Sequence, residues 1–484
     1  MSLHFRFSFG AAQGGFQLVL VLVYAAIFSI LISALIGYVV IQNKAVHQDV
    51  ALAQSLNIAE AGLQYYKWYL AHNPGDTTHG TTTPGPYVRQ YQDPEGGVLG
   101  EYELDISGKT FCGETDGITI RSTGRTYADP NISRTVSARV ARPSVANFSF
   151  ITNAGVWYGS GGTINGPVHS NQGIRMEAYN NSVVSSGLTD WWCTSSYGCS
   201  PSRRVDGVYS AGTGSNPGLF QFPAAPIDFG GLTVDMNKIK NLTQAVGSAG
   251  YYFGPTGAGV DGYELVFNSD QTVTVREVTS TRSYWASNST DGWHTERNVI
   301  TATSPVGTYA IADECPVIFV EDKTWLSGEI PARITVAVAD LITPGTNRSI
   351  VLNGNITYTS ATSSGLTAIA QEDVAIGLTV PSDMLISGIF IAQNGNFTRS
   401  YYRTSGYYRL PYSLRPYVLR NSLTRYGTVV SNTRAGINWV SGGTVLSGFT
   451  DGSSSYDRNL ANEPPPLTPR TSDVYQLFEW QEER

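Results

Sequence analysis

From Phe16 to Ile41 the chain carries no charged residue, and only Gln17, Ser29, Ser33 and Gly37 interrupt its hydrophobic run. As a helix that run spans roughly 39 Å, enough to cross a bilayer core of about 30 Å with some tilt. It is much longer than the apolar region of a secretory signal peptide, and no Ala-x-Ala site ends it, which argues against a cleaved signal. Arg6 before the run, with Lys44 and Asp49 after it, favours a cytoplasmic N-terminus and an exported remainder. No proline occurs between Phe16 and Pro74. Beyond Lys44, the residues Leu52, Leu56, Ala59, Leu63, Tyr66 and Leu70 recur at steps of four and three, one stripe of an amphipathic helix. His72-Asn73-Pro74-Gly75 stops it. The pattern predicts one helix over 16–71, its first half in lipid. A plain membrane anchor with a juxtamembrane stalk has the same periodicity.

Composition narrows the rest. Charged residues are 14% of the 484, against roughly 25% in an average soluble domain; Ser, Thr, Asn and 51 Gly take their place, as in β-rich surface proteins with many turns. The net charge of −7 argues against a dedicated nucleic-acid binder on global charge. Four cysteines exclude a disulfide-dense mini-scaffold and repeated zinc modules.

Gly14-Gly15-Phe16-Gln17-Leu18-Val19-Leu20 resembles the processing site of type IV pilin-like precursors. Ser55-Leu56-Asn57-Ile58-Ala59-Glu60-Ala61-Gly62-Leu63 resembles the Ala-Glu-Ala-Gly segment of PilX-type minor pilins, and the alternating meander from Gly100 to Arg142 continues the similarity. The resemblance covers about the first 142 residues. It implies cleavage between Gly15 and Phe16 by a prepilin peptidase, N-methylation of Phe16, and assembly with other pilin-like subunits. One position departs from the family: the fifth residue from Phe16 is Leu20, where pilins carry a Glu that pairs in lipid with a neighbour's terminal amine. An unpaired carboxylate in hydrocarbon is costly, so the absence of Glu suits a filament-tip subunit or a relative that never polymerises.

Beyond Pro143 the sequence turns Gly/Ser/Thr/Asn-rich, with no long helical pattern. A unit of Gly, one residue and an apolar β-former recurs at Gly162-Thr163-Ile164, Gly328-Glu329-Ile330, Gly354-Asn355-Ile356, Gly388-Ile389-Phe390, Gly427-Thr428-Val429 and Gly443-Thr444-Val445. Short strands without hairpin spacing fit the coils of a parallel β-helix, with stacked parallel strands expected from about Val145 to Thr450. A β-sandwich array is the alternative. This half also resembles the surface region that follows PilX-type N-termini, notably in Gly166-Pro167-Val168-His169-Ser170-Asn171.

Chemical motifs are sparse. No two of the six histidines stand at helical metal spacing, and no nucleophile elbow or phosphate-binding glycine motif occurs, so no cofactor or metal is expected. His169 reads as a turn histidine bonded to backbone. Glu321-Asp322 reads as solvated turn charges, with calcium ligation as the alternative. Cys193 and Cys199 bracket five residues, poor spacing for zinc and natural for a small disulfide loop stiffening a finger that bears Trp191 and Trp192. Cys112 and Cys315 are left to pair or to stay buried as thiols. The two tryptophans could grip a sugar or partner surface, or cap a core.

Residues 399–426 hold six arginines (399, 403, 409, 415, 420, 425) and seven tyrosines (401, 402, 407, 408, 412, 417, 426), without Asp, Glu or Lys. Arg interleaved with Tyr can hold phosphates or anionic glycans while the rings stack on bases or sugars. The candidate surface is Arg399, Arg403, Arg409, Arg415, Arg420, Tyr401, Tyr407 and Tyr408. A ligand site requires guanidinium groups free of carboxylates, whereas a structural strap requires carboxylate partners from elsewhere in the fold.

The sequence therefore predicts a mainly β protein: a leader at 1–15, a transmembrane and stalk helix at 16–71, a small pilin-like β head at 72–142, a right-handed parallel β-helix (solenoid) at 143–456, and a Pro-rich acidic strap at 457–484 covering an open end. The expected role is non-enzymatic. The chain sits in the inner membrane as precursor and at the cell surface or pilus when mature, with the lipid bilayer, other pilin-like subunits, a prepilin peptidase and a glycan or polyanion as partners. The alternatives are an anchored surface protein outside any filament and a β-helix polysaccharide lyase or hydrolase.

Overall fold

The computed structural model describes residues 14–232, 235–245, 250–343 and 345–483. Most of the expected leader therefore lies outside the described residues. The rest is mainly β, with one long N-terminal helix, and divides into two compact units.

The helix runs Gly14–His72, 59 residues. Gly15 and Phe16 lie in its first turn. It is long and apolar enough to cross a membrane. Its second half buries Ala59, Leu63, Tyr66 and Leu70 of the stripe legible in the sequence, with Ile58 beside them, while Leu52 and Leu56 are half-buried. Strands Tyr87–Gln92, Val98–Phe111, Glu114–Thr126, Ser133–Ala141 and Gln476–Glu483 form one sheet in that order. Ala59 and Leu63 pack on Val136 and Ala138. Gly124 permits the approach: a Cβ there would stand 2.2 Å from the Ser55 carbonyl oxygen and 2.4 Å from the Ala59 nitrogen. The acidic C-terminus is not a strap over an open end. Its last strand joins this sheet, and Glu483 and Glu482 pair with Arg121 at 2.6 Å and Arg134 at 2.8 Å. Residues 108–118 and 140–478 belong to the second unit, and 479–483 to the first.

The second unit is built on parallel ladders. One runs through Tyr251–Phe253, Val317–Val320, Arg333–Val338, Gly365–Ala370, Asp383–Ala392, Leu419–Ser431, Phe150–Thr152, Val168–Ser170, Val184–Ser186 and Phe220–Gln221, each parallel to the next. A second runs through Tyr263–Asn268, Thr324–Ile330, Ile350–Tyr358, Val374–Ile376 and Phe397–Thr398. Sequence order breaks where Leu419–Ser431 meets Phe150–Thr152, so late strands lie beside the earliest ones.

Strands of the first ladder are apolar at consecutive positions because both faces are covered. Ile318, Val336, Ala368 and Phe390 point into the main core, while Phe319, Ala337, Ile369 and Ile389 meet a second cluster containing Met236, Ile239 and Leu460. Met236 and Ile239 belong to the short helix Met236–Gln244. The Pro-rich segment lies against this unit, with Thr335 donating to the Pro466 carbonyl. Cys112–Cys315 and Cys193–Cys199 are disulfides.

The expectation of stacked parallel strands throughout fails at four antiparallel pairings among the described residues. The largest joins Thr272–Asn288 to Gly292–Ala310, and the others join Tyr263–Asn268 to Thr272–Asn288, Asp190–Cys193 to Arg203–Asp206 and Asn438–Ser441 to Thr444–Ser455. The long strands meet at a tight turn in which Asn288 Oδ1 accepts from the amides of Thr290 and Asp291, and Gly292 takes φ 64°.

Candidate binding surface

The distal part of that hairpin meets residues 399–418. Ser287 and Tyr401 exchange backbone hydrogen bonds of 3.0 and 2.7 Å. Tyr284, Ala286, Tyr402, Leu410, Leu414 and Val418 form a local core beneath. Glu296, on the second hairpin strand, accepts from Tyr402 Oη at 3.0 Å and from Ser400 Oγ, and lies 3.7 Å from His294 Nε2. Burial pushes Glu296 up, but the bonds from His294, Ser400 and Tyr402 outweigh it and hold its carboxyl below the usual range. The hydrogen bond to Glu296 raises His294 in turn.

Arg399, expected on a binding surface, is instead fully buried. Its guanidinium donates to the carbonyls of Gly377, Leu378 (3.1 Å) and Tyr417 (2.8 Å), and lies 5.4 and 5.5 Å from the Tyr402 and Phe449 rings. Burial pushes its pKa down. Arg420 is likewise turned to carbonyls, those of Leu419 (2.8 Å), Val380 (3.3 Å) and Pro416. Arg425 belongs to the Leu419–Ser431 strand, away from the loop. Among the described residues no carboxylate pairs with any of the six arginines, so acidic strapping is not what holds the segment; backbone carbonyls hold part of it.

The remaining groups form an open platform. Arg403 is exposed and lies over the rings of Trp293 (5.3 Å) and Tyr401 (5.6 Å). Trp293 stacks on Tyr408 at 4.5 Å and 9°, and Trp285 meets Tyr408 edge-on at 5.1 Å. Tyr407 packs edge-on against Tyr408, and Trp439 adjoins Tyr401 at 5.6 Å. Beside the platform a groove of about 810 Å³ is lined by Trp285, Thr295, Tyr407, Arg409, Tyr412 and Arg415, among others. Tyr407 and Tyr412 are 81% and 84% exposed, their rings offered almost whole to solvent. Among the described residues Arg409 donates only to the Gly406 carbonyl at 3.0 Å, and Arg415 to that of Leu410 at 3.2 Å. The arrangement can grip a ligand that carries anionic groups and flat faces. Sequence reasoning missed Trp285, Trp293 and Trp439. The signal for the first two was the turn between them, since the hairpin register sets Trp285 opposite Thr295 and Trp293 opposite Ser287.

The tryptophan finger divides. Trp191, expected at a binding surface with its neighbour, is buried edge-on against Tyr197 at 4.9 Å and packed with the Cys193–Cys199 disulfide. Trp192 is 61% exposed. His169 is buried and bonded to side chains, Ser185 Oγ at 2.9 Å and Asn171 Oδ1 at 3.0 Å, in place of the expected backbone. Glu321 and Asp322 are buried too, correcting the reading of solvated charges: Glu321 pairs with Lys240 at 2.7 Å, and Asp322 with Arg348 at 3.2 Å. Among the described residues no cluster of three or more His, Cys, Asp or Glu could hold a metal.

No family model matches the chain, and no curated protein matches it in sequence. Among solved structures, the competence-associated pilin ComZ from Thermus thermophilus is similar at 15% identity and a TM-score of 0.33, over 90% of this chain and 97% of that one.

Proposed function

We propose that the chain is a non-enzymatic, membrane-anchored subunit of a type IV pilus-like system, processed between Gly15 and Phe16 by a prepilin peptidase and carrying a parallel β-helical unit that presents a binding surface. The observation that carries the anchoring is the uncharged run Phe16–Ile41 continuing without a break into a helix whose second half packs on a β-sheet. Supporting the β-helical reading are the parallel ladders of short strands. Supporting the binding reading is the platform of Trp293, Tyr401, Tyr408 and Arg403 with the groove of Arg409 and Arg415, which suits a polyanion or acidic glycan because guanidinium groups meet anionic groups while rings stack on flat faces.

Mass spectrometry of the protein from its native cells tests the first part. A mature chain starting at methylated Phe16 is expected, and one starting at Met1 or cut beyond Ile41 ends the pilin reading. Retention of the full chain in detergent on heparin or single-stranded DNA tests the second. Retention at low salt and steep release as salt rises are expected. Passage without retention at low ionic strength ends the polyanion reading. Leu20 at the fifth position from Phe16 supports a second reading, an anchored surface protein that never enters a filament. Crosslinking to pilin-like subunits in cells separates the two.

A further inference from the structure

Across neighbouring parallel strands of the second unit, one column of residues reads Ile356, Ile386, Arg425, Ser454, Ile164. The three isoleucines are buried in the main core. Arg425 therefore stands in a column whose other members are three core-facing isoleucines and the buried Ser454. A guanidinium there loses hydration, and burial pushes Arg425 down to about 10. Little compensates it inside the protein. Its Nε donates to Ser454 Oγ at 2.7 Å, and the group lies 4.8 Å from the Phe150 ring. Among the described residues no carboxylate pairs with it. Arg399 shows the contrasting solution in the same fold, a buried guanidinium closed off by three backbone carbonyls.

Arg425 opens onto a cavity of about 180 Å³ whose walls include Phe150, Tyr158, Ile164, Val429 and Ile437. Gly159 and Gly161 border it, with open space where their side chains would be. Asp451 also borders it, exposed and with Oδ1 accepting from the Gly452 amide at 2.7 Å. It lies three residues along its strand from Ser454, about 10 Å at strand rise, and no ion pair joins it to Arg425 among the described residues. A cavity of roughly 150 Å³ holds a benzene ring, so this one has room for about a single ring or a short aliphatic chain.

We propose that the cavity is a binding site for a small organic acid, its carboxylate held by Arg425 and its apolar body of about one ring seated against Phe150, Tyr158 and Ile164. The site is separate from the groove beside Trp293 and does not depend on the polyanion reading.

Calorimetric titration of the full chain in detergent with benzoate, and with benzyl alcohol as its neutral analogue, tests it. Benzoate is expected to bind in the millimolar range or tighter, at least about tenfold better than benzyl alcohol. Arg425→Met should lose at least about tenfold in benzoate affinity and leave benzyl alcohol unchanged, while Arg425→Lys keeps the preference for the acid. Because Met or Ile matches the apolar character of the three isoleucines in that column, the thermal midpoint of Arg425→Met and Arg425→Ile should hold or rise. Three results overturn the proposal: no benzoate binding to the unmodified chain at about 20 mM, equal benzoate binding by Arg425→Met, or a fallen midpoint or failure to fold in both variants, which would make the arginine a structural member.

Discussion

Arg399 and Arg403 stand four residues apart in one uninterrupted Arg/Tyr segment, yet one half of that segment holds the fold and the other faces outward. Around Arg399, Tyr402, Leu410 and Leu414 the chain is buried, and every described partner of the guanidinium is a backbone carbonyl or a ring. Around Arg403, Tyr407, Arg409 and Tyr412 the same residue types face solvent. The difference lies in what the rest of the chain brings near. The backbone at Gly377, Leu378 and Tyr417 offers Arg399 carbonyls, whereas Arg403 meets the rings of Trp293 and Tyr401 and donates to Tyr401 Oη at 3.3 Å. A charge run thus carries two jobs at once, and its composition does not tell them apart.

The comparison breaks most visibly at its buried end. Arg399→Met leaves the carbonyls of Gly377, Leu378 and Tyr417 without that donor inside the protein, and should cost about 3 to 5 kcal/mol. Thermal unfolding measures the loss, and cleavage within residues 403–413 by trypsin at low temperature should appear before the rest of the unit opens. A midpoint within 2 °C of the parent would mean the carbonyls find other donors. At the open end, Arg403→Glu with Arg409→Glu should leave stability within about 0.5 kcal/mol and reduce the slope of log affinity against log salt for heparin by about 2. An unchanged slope would remove these two side chains from the surface.

Trp293→Ala sharpens the contrast further by separating stacking from charge. Affinity for single-stranded DNA should fall by about 1 to 3 kcal/mol with the salt slope unchanged; a changed slope would show that the ring serves only to place Arg403. The smallest effect belongs to His294. Glu296 raises its folded pKa above the ordinary value, so its contribution is complete below about 6.5 and fades as pH rises through the folded value. His294→Gln should therefore differ from the parent midpoint most at pH 5.5 and least at pH 8.5. A difference that is equal at both ends removes the pair as a pH-linked contact.

Much of this molecule was legible before any fold was known, for reasons tied to local pattern. The helix ends within two residues of expectation because an uncharged run, a stripe of apolar residues and an Asn-Pro-Gly stop act on near neighbours. The strands Val317–Val320 and Gly365–Ala370 are buried along their whole length because both their faces are covered. Arg399 was misread because its partners are carbonyls, which every residue possesses and no sequence pattern announces. Trp293 was missed because it reaches Tyr408 only after a hairpin folds across more than a hundred residues. Trp191 and Trp192 are adjacent and point to opposite sides of one strand, so only one could be a surface residue.

The meeting of Leu419–Ser431 with Phe150–Thr152 has a consequence for how the protein is made. Asn153 and Asn432, which share a hydrogen bond of 2.9 Å across that junction, are separated by 279 residues. As the polypeptide emerges, the strands from Phe150 to Gln221 can pair among themselves, and those from Tyr251 to Ala392 can do the same. The two stacks have no common edge until Leu419–Ser431 is synthesised. Such a join closes a very long loop late, so folding is slow and leaves two unpaired strand edges waiting. A chain halted before Leu419 would hold both edges open, ready to pair with a second chain in the same crowded compartment.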